Sequence, residues 1–185
     1  MCIQLETDSQ ACYRLPVVRG RKNPGHLRFA SRLRKAIQHV SHSQPAPASR
    51  STLAGWAQGQ RLPRIDAVEQ VSYALGLSPA FLGFGLAFEP TPPTDKLLAL
   101  GVAARLREAR QARGLSVRIL AAAAGVSHTA VGNVEQGTMP GLDTAEALAI
   151  ALGVSPAWLA YGLGPMELPS RRRKAAAATQ ESDHG

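Results

Sequence analysis

The chain has 185 residues, the length of one or two domains, and its hydrophobic fraction of 45% with only 5% aromatic residues favours small, closely packed helices. Two cysteines, no apolar run of about 18 residues and no signal-peptide pattern point away from disulfide-rich secreted proteins and membrane spans, so we expect a soluble, cytoplasmic protein. The net charge of +8 favours a polyanionic partner such as nucleic acid or anionic lipid.

Residues 1–25 have no helical period and end in a cationic run, Arg19 to Pro24. We predict a flexible basic leader here. It is either solvated chain or an arm that reaches the DNA backbone or the minor groove.

Residues 26–89 are predicted to form a first helical domain. Its opening helix is predicted at His26 to Val40 and has two distinct faces. The apolar face consists of Phe29, Leu33, Ala36, Ile37 and Val40. The basic outer face consists of Arg28, Arg32, Arg34 and Lys35. Pro45 and Pro47 exclude a regular helix before the next one, Ser49 to Gln58. That helix is predicted to turn Leu53 and Trp56 inward.

Two further helices complete this domain. Asp66 and Glu69 have the spacing of a capping box, with Asp66 as the N-cap. Ser78 is predicted to cap a short last helix that turns Phe81 and Leu82 inward.

A stiff proline-rich linker is predicted at residues 90–94, within the motif EPTPPT. A second domain follows at residues 95–167. It is expected to open with a long helix from Asp95 to about Arg113 and to end with a helix started by Asp143 and Glu146 and a short one at Ser155 to Leu159. Residues 168–185 begin with a basic run and are predicted to be a disordered tail.

The stretch from Ser116 to Pro140 organises the second domain. Ser116 and Ser127 are each predicted to cap a short helix, and Gly125 allows a tight turn between the two. The residues expected to be buried are Ile119, Leu120 and Ala123 in the first helix and Ala130, Val131 and Val134 in the second. This arrangement indicates a helix-turn-helix, whose second helix enters the DNA major groove, although two helices of an ordinary bundle have the same spacing.

An internal repeat relates the two predicted domains. Ala74 to Leu86, ALGLSPAFLGFGL, matches Ala151 to Leu163, ALGVSPAWLAYGL, at most positions. The segment Arg32-Leu33-Arg34 likewise matches Arg105-Leu106-Arg107. We therefore predict a tandem duplication.

The second copy resembles the Cro and phage-repressor (XRE-type) helix-turn-helix domain. The resemblance is carried by RLREARQARGLS, LAAAAGVSHTAVGNVEQG and ALAIALGVSPAWLAYG, in that order, and is weaker over about residues 27–88. It implies an all-α protein of two tandem five-helix domains, in which the helix after each turn reads bases. It also implies a partly buried structural ion pair between Arg110 and Glu135.

The first copy departs from this pattern. Ile37 and Ala57 stand at the positions that match Arg110 and Glu135, so both charges are lost together. The segment before its reading helix is also five residues shorter and contains two prolines, which predicts a shortened or absent scaffold helix. We expect this copy to be degenerate but folded.

Base contacts require exposed polar side chains on a reading helix, where Asn suits adenine and Arg suits guanine. The candidates are Ser127, His128, Thr129, Asn133 and Gln136 in the second copy and Ser49, Arg50, Ser51 and Gln58 in the first. Phosphates would be held by Arg118 in the second copy and by Arg61 and Arg64 in the first. For each of these residues the alternative is a solvated helix face.

The positive charge lies mainly in the copy with the weaker motif. Residues 26–89 carry seven basic and three acidic side chains, whereas residues 95–167 carry six of each. Because phosphate neutralisation dominates DNA affinity, the second copy could instead serve association through Trp158, Leu159 and Tyr161, unless these lie in the core.

No catalytic motif is visible, so we expect neither enzymatic activity nor a cofactor. His39 and His42 could join Cys2 and Cys12 around zinc, but the spacing matches no closed zinc module and no metal site is expected.

The sequence therefore predicts a double-stranded-DNA-binding transcription regulator, a repressor of the phage or mobile-element kind, that acts at the nucleoid with two reading helices per chain. A homodimer is left open. The alternative is a protein-interaction or dimerisation module, as in an antitoxin, in which one copy or neither contacts DNA.

Overall fold

The computed structural model describes residues 24–38, 48–86 and 96–167. Within these ranges the chain is all-helical, as predicted. The elements are α1 Pro24–Gln38, α2 Arg50–Ala57, α3 Ile65–Ala74, α4 Pro79–Phe84, a 3-10 turn Leu98–Gly101, α5 Val102–Ala112, α6 Val117–Ala124, α7 His128–Glu135, α8 Leu142–Leu152 and α9 Pro156–Tyr161. We call residues 24–86 the first half and residues 96–167 the second half.

Several predictions fall outside the described residues. These are the leader before Pro24, the linker 90–94, the tail 168–185, and the residues Val40, His39, His42, Cys2 and Cys12. The scaffold helix of the first half would fall in residues 39–47, which are also outside. The described first half contains four helices, so a five-helix first domain stays a prediction.

Helix α1 buries Phe29 and Leu33 as predicted, but its other predicted roles are partly wrong. Ile37, expected inside, is 40% exposed. Arg32, expected on the outer face, reaches α4, where its Nε and Nη2 donate to the carbonyl oxygens of Leu82 and Gly83 at 2.9 and 2.5 Å. Burial lowers the pKa of Arg32. The outer basic face of α1 therefore holds one cation fewer than its sequence suggests.

The predicted caps at Ser116 and Ser127 are present, and Ser49 caps α2 in the same way, although no cap was predicted there. The Oγ atoms of Ser49, Ser116 and Ser127 accept the backbone N–H groups three residues further along, at 3.2, 3.2 and 3.1 Å. Ser78 stands at the N-cap position of α4, but its side chain makes no capping hydrogen bond. Its prediction as a capping side chain is wrong.

The predicted capping boxes are wrong in both halves. The N-caps of α3 and α8 are Arg64 and Gly141, and both aspartates lie inside the first turn, where Asp66 accepts from Ala67 N–H and Asp143 accepts from Thr144 N–H. The helices begin earlier because tertiary hydrogen bonds fix their first residues. The N–H of Ile65 donates to Pro140 O, and the N–H of Leu142 donates to Pro63 O, both at 3.1 Å.

Glu69 is fully buried and joins the halves instead of capping its own helix. Its carboxylate accepts the N–H groups of Leu98 and Ala99 at 2.7 and 2.9 Å, and the Tyr73 hydroxyl donates to it at 2.7 Å. The first N–H groups of a helix need such acceptors. The long helix that was predicted from Asp95 to about Arg113 begins, within the described residues, as a 3-10 turn at Leu98 and continues as α5.

The inward faces of two short helices differ from the prediction. In α6, Leu120 and Ala121 are buried, while Ile119 is 56% exposed and Ala123 is exposed. In α4, Leu82 is buried but Phe81 is 40% exposed. Both helices are shorter than three turns, so apolar spacing alone fixes their rotation poorly.

The two halves share one hydrophobic core, which includes Phe29 and Leu33 as well as Leu106 and Leu159. Helices α4 and α9 pack together across it, with the rings of Phe84 and Tyr161 6.1 Å apart. The Tyr161 hydroxyl donates to Ile65 O at 3.1 Å. This shared core holds the second half, and its helix-turn-helix segment, against the first.

Candidate nucleic-acid interface

The segment α6–turn–α7 has the predicted caps and the predicted turn. Ser116 and Ser127 cap the two helices, and Gly125 closes α6 at a φ of 68°, a conformation that glycine adopts without steric cost. The inner side of α7 buries Val131 and Val134, while Ala130 is half-buried. The helix therefore keeps one polar face outside.

An ion pair holds α7 against α5. Arg110 Nε and Nη2 donate to the two carboxylate oxygens of Glu135 at 2.6 and 3.0 Å, and Arg110 Nη1 donates to Leu115 O at 2.9 Å. The side chains are 14% and 12% exposed, and the hydrogen bond to Glu135 raises the pKa of Arg110. A bidentate pair of this kind restricts rotation as well as separation, so α7 has a fixed orientation.

Arg107 adds a second tie that the sequence interpretation missed. It is exposed on α5, and its Nη2 donates to the backbone oxygen of Glu135 at 2.6 Å. A cation at a helix C-terminus satisfies an otherwise unpaired carbonyl group. In the sequence, Arg107 stands out only because it matches Arg34 in the internal repeat. That match does not indicate a contact with α7.

The outer face of α7 presents four of its five predicted base-contacting residues with free side chains. Ser127 is committed to its capping hydrogen bond. The remaining exposed residues are His128, Thr129, Asn133 and Gln136. Two of these have amide groups and one an imidazole, which can hydrogen-bond the edges of bases in the major groove.

Helix α2 presents a different polar face. Arg50 and Ser51 are exposed at its start, but Ser49 is the capping residue and its Oγ lies 3.0 Å from Ser51 Oγ. At the other end, Gln58 accepts a 2.6 Å hydrogen bond from Gln60 Nε2. Arg50 is therefore the long side chain at the start of this helix that can reach a ligand.

The predicted phosphate-binding cations are exposed but not equivalent. Arg61 follows α2, and Arg118 lies in the first turn of α6. Arg64 instead pairs with Asp66, with 2.7 Å between Nη2 and Oδ2. Since exposed ion pairs are weak, Arg64 can still exchange this partner for a phosphate, at a small cost.

α2 and α7 can be aligned from their capping serines, Ser49 and Ser127. Arg50 then corresponds to His128, Ser51 to Thr129, Gly55 to Asn133 and Gln58 to Gln136. Where α7 carries Asn133 in its second turn, α2 has no side chain.

The residues considered for association lie mainly inside the protein. Leu159 and Tyr161 are buried, and Trp158 is half-buried against the core. Tyr161 contacts the first half through Phe84 and Ile65. Leu159 and Tyr161 are therefore not exposed to an outside partner.

Among residues 24–38, 48–86 and 96–167, no group of three or more His, Cys, Asp or Glu side chains is placed to hold a metal ion. In the same ranges, no helix has the length and apolar character needed to cross a bilayer.

A family model described as helix-turn-helix matches residues 106–159. The match begins in α5, includes α6, the turn and α7, and ends in α9, so the first half lies outside it. Searches of curated proteins and of solved structures found no match. The matched segment is thus similar to XRE-type helix-turn-helix regulators, which indicates DNA binding.

Proposed function

We propose that the chain is a sequence-specific transcription regulator that represses by occupying an operator in double-stranded DNA, with α2 and α7 as its two reading helices. The observation that carries this proposal is the polar outer face of α7. His128, Thr129 and Asn133 are exposed there, while Arg110 and Glu135 fix the helix from behind. Major-groove reading requires polar side chains on a helix of fixed orientation.

The proposal includes tandem copies of one domain, of which the first is degenerate. Matching contacts in the two halves support it. Arg105 donates from Nε and Nη2 to Leu159 O and Ala160 O at 2.8 and 2.7 Å, as Arg32 does to the matching carbonyl oxygens of Leu82 and Gly83. Burial lowers the pKa of Arg105, as it does for Arg32.

Charge supports a DNA ligand for the first half in particular. Arg50 and Arg61 are exposed at and just after α2, where they would face a phosphate backbone approached by that helix. Such contacts release counterions and make affinity strongly dependent on salt. A DNA ligand would place the chain at the nucleoid, and we propose neither a catalytic activity nor a cofactor.

Protein interaction through the second half is the weaker alternative. Its apolar candidates Leu159 and Tyr161 are used within the chain itself. The polar faces of α2 and α7, in contrast, are exposed.

The test begins with the purified chain and sheared genomic DNA. Retained fragments are sequenced, and the affinity for the most enriched duplex is measured by fluorescence anisotropy at several salt concentrations. We expect log Kd to rise linearly with log salt, and Arg61→Ala to lower that slope by about 1.

Substitutions then separate the two reading helices. Arg50→Ala and Asn133→Ala should each weaken binding to the enriched duplex by about 5- to 150-fold. Matched controls are Arg34→Ala, which also removes an exposed cation but lies on α1, and Gln70→Ala, an exposed amide on α3. If the affinity ignores salt, or if all four variants bind alike, the proposed function is wrong.

A further inference from the structure

The joint between the halves has the reciprocal form of a two-fold interface. In such an interface, if residue i contacts residue j, then the copy of j contacts the copy of i. Pro63 and Ile65 match Pro140 and Leu142 in sequence, and the hydrogen bonds run from Ile65 N–H to Pro140 O and from Leu142 N–H to Pro63 O. Both are 3.1 Å long. Equivalent residues thus contact one another across the joint.

The helices at the joint repeat this reciprocity. α4 packs on α9, its counterpart in the other half, and Phe84 contacts Tyr161, which occupies the matching position. Glu69 and its counterpart Glu146 are an exception: Glu69 binds the N–H groups that open the second half, whereas Glu146 is 30% exposed and lies 3.8 Å from Arg28. The hydrogen bonds between equivalent residues and the packing of α4 on α9 thus join the halves as two subunits of a dimer are joined.

The two reading faces are not copies of each other, although the joint is. α2 offers Arg50 in its first turn and Gly55 in its second, whereas α7 offers His128 and Asn133 at those positions. Arg pairs with the O6 and N7 atoms of guanine, and Asn pairs with the N6 and N7 atoms of adenine. The two helices therefore favour different bases, contacted from different turns.

We propose that the operator of this chain is asymmetric, with a guanine-containing half-site read by Arg50 and a different, adenine-containing half-site read by Asn133. The inference rests on the proposed function and specifies its ligand. Symmetric helix-turn-helix dimers bind palindromes because both subunits present the same side chains. A single chain with unlike reading faces binds a non-palindromic site, one chain per site and in one orientation.

Selection of binding sites from random duplexes tests this with the full chain. The expected motif has two unlike halves centred about 10 base pairs apart, and sedimentation of the complex should give one chain per duplex. Arg50→Ala should reduce discrimination about 5- to 150-fold at a guanine in one half only, and Asn133→Ala should do so at an adenine in the other half only.

A variant in which α2 carries the outer residues of α7 tests the proposal more directly. The triple variant Arg50→His, Ser51→Thr and Gly55→Asn gives α2 the outer residues of α7, and it should select a motif whose halves have become alike. Circular dichroism checks that the variant folds, and if it does not, the two alanine variants decide the question.

The possible failures are distinguishable. A palindromic motif bound by two chains would overturn the asymmetric operator and leave DNA regulation standing. An unlike-half motif that neither alanine variant alters would also overturn the assignment of Arg50 and Asn133. If no motif is enriched at all, the proposed function itself fails, and this inference fails with it.

Discussion

The two halves differ in sequence at the positions that correspond to the ion pair behind α7. The second half has Arg110 and Glu135 as a nearly buried bidentate pair, and the first half has Ile37 and Ala57. Removing one member of a buried pair leaves the other charge stranded, whereas removing both does not. A double substitution in the second half can therefore copy the two uncharged residues of the first half.

We predict that Arg110→Ile alone destabilises the chain by about 3 kcal/mol, because Glu135 loses its partner. The double variant Arg110→Ile with Glu135→Ala, which copies the first half, should recover most of this loss. Urea unfolding followed by circular dichroism measures both. A double variant less stable than either single variant would contradict this account of the pair.

Glu69 gives a second prediction at the scale of one residue. Its carboxylate accepts three hydrogen bonds while fully buried, and Glu69→Gln would turn an NH₂ group toward the backbone donors of Leu98 or Ala99. An unsatisfied buried group of this kind should cost about 2 kcal/mol. The matched control is Glu146→Gln, whose side chain is 30% exposed and which should change stability by less than about 0.5 kcal/mol. Equal losses for the two variants in urea unfolding would count against the special role of Glu69.

Tyr161 should make stability depend on alkaline pH. Complete burial, with smaller contributions from Glu69 and Asp66, raises its pKa well above the ordinary value of a tyrosine. Above about pH 10 the unfolded chain therefore loses this proton first, and the stability contributed by Tyr161 falls by up to about 1.4 kcal/mol per pH unit.

The variant Tyr161→Phe isolates this effect. At pH 7 it should be less stable by about 1 kcal/mol, since the hydrogen bond to Ile65 O is lost. Because phenylalanine has no proton to lose, the difference from the unsubstituted chain should shrink above pH 10 and then reverse. Urea unfolding at pH 7, 9, 10 and 11 measures it, and a difference that stays constant would contradict the assignment.

At the scale of elements, the sequence predicted the features that depend on neighbouring residues and missed those that depend on the other half. The caps at Ser116 and Ser127 and the turn at Gly125 depend on residues adjacent in sequence, and these three features lie where expected. The start of α3 and the role of Glu69 depend on hydrogen bonds to the other half, which no local pattern contains. The prediction that Ile119 is buried is wrong because α6 has only about two turns, which give too few apolar positions to fix its rotation.

The candidate site follows the same division. Helical period placed His128, Thr129 and Asn133 on the outside, and they are exposed. The period could not show that Ser49 would be used as a cap or that Arg64 would pair with Asp66. These competing partners are short-range, but choosing between them and a ligand requires the backbone geometry.

Two glycines of the helix-turn-helix should respond to alanine in opposite directions. Gly132 lies inside α7, and a Cβ there meets no atom within 4 Å, so Gly132→Ala should stabilise the chain by about 0.5–1 kcal/mol through backbone entropy. Gly125 has a φ of 68°, and Gly125→Ala should cost about 1–2 kcal/mol. Thermal unfolding of both variants checks the signs, and a stabilised Gly125→Ala would mean that the turn adopts another conformation.

At the scale of the whole molecule, the shared core bears on how the halves unfold. Phe29 and Leu33 of the first half lie in the same buried cluster as Leu106 and Leu159 of the second. Separating the halves would expose Tyr161 and leave the carboxylate of Glu69 without its backbone donors. Each half therefore depends on the other for part of its stability, and unfolding of one should destabilise both.

The two tryptophans of the chain allow this cooperativity to be measured, because each lies in a different half. Trp56 is in α2 and Trp158 is in α9. In the variants Trp158→Phe and Trp56→Phe, fluorescence reports on the first half and on the second half respectively. We expect each variant's fluorescence transition in urea to overlay its own circular-dichroism transition, which corrects for any change in overall stability. A fluorescence midpoint that departs from the circular-dichroism midpoint of the same variant would show that the halves unfold separately, and that the joint between them is weaker than its hydrogen bonds and packing imply.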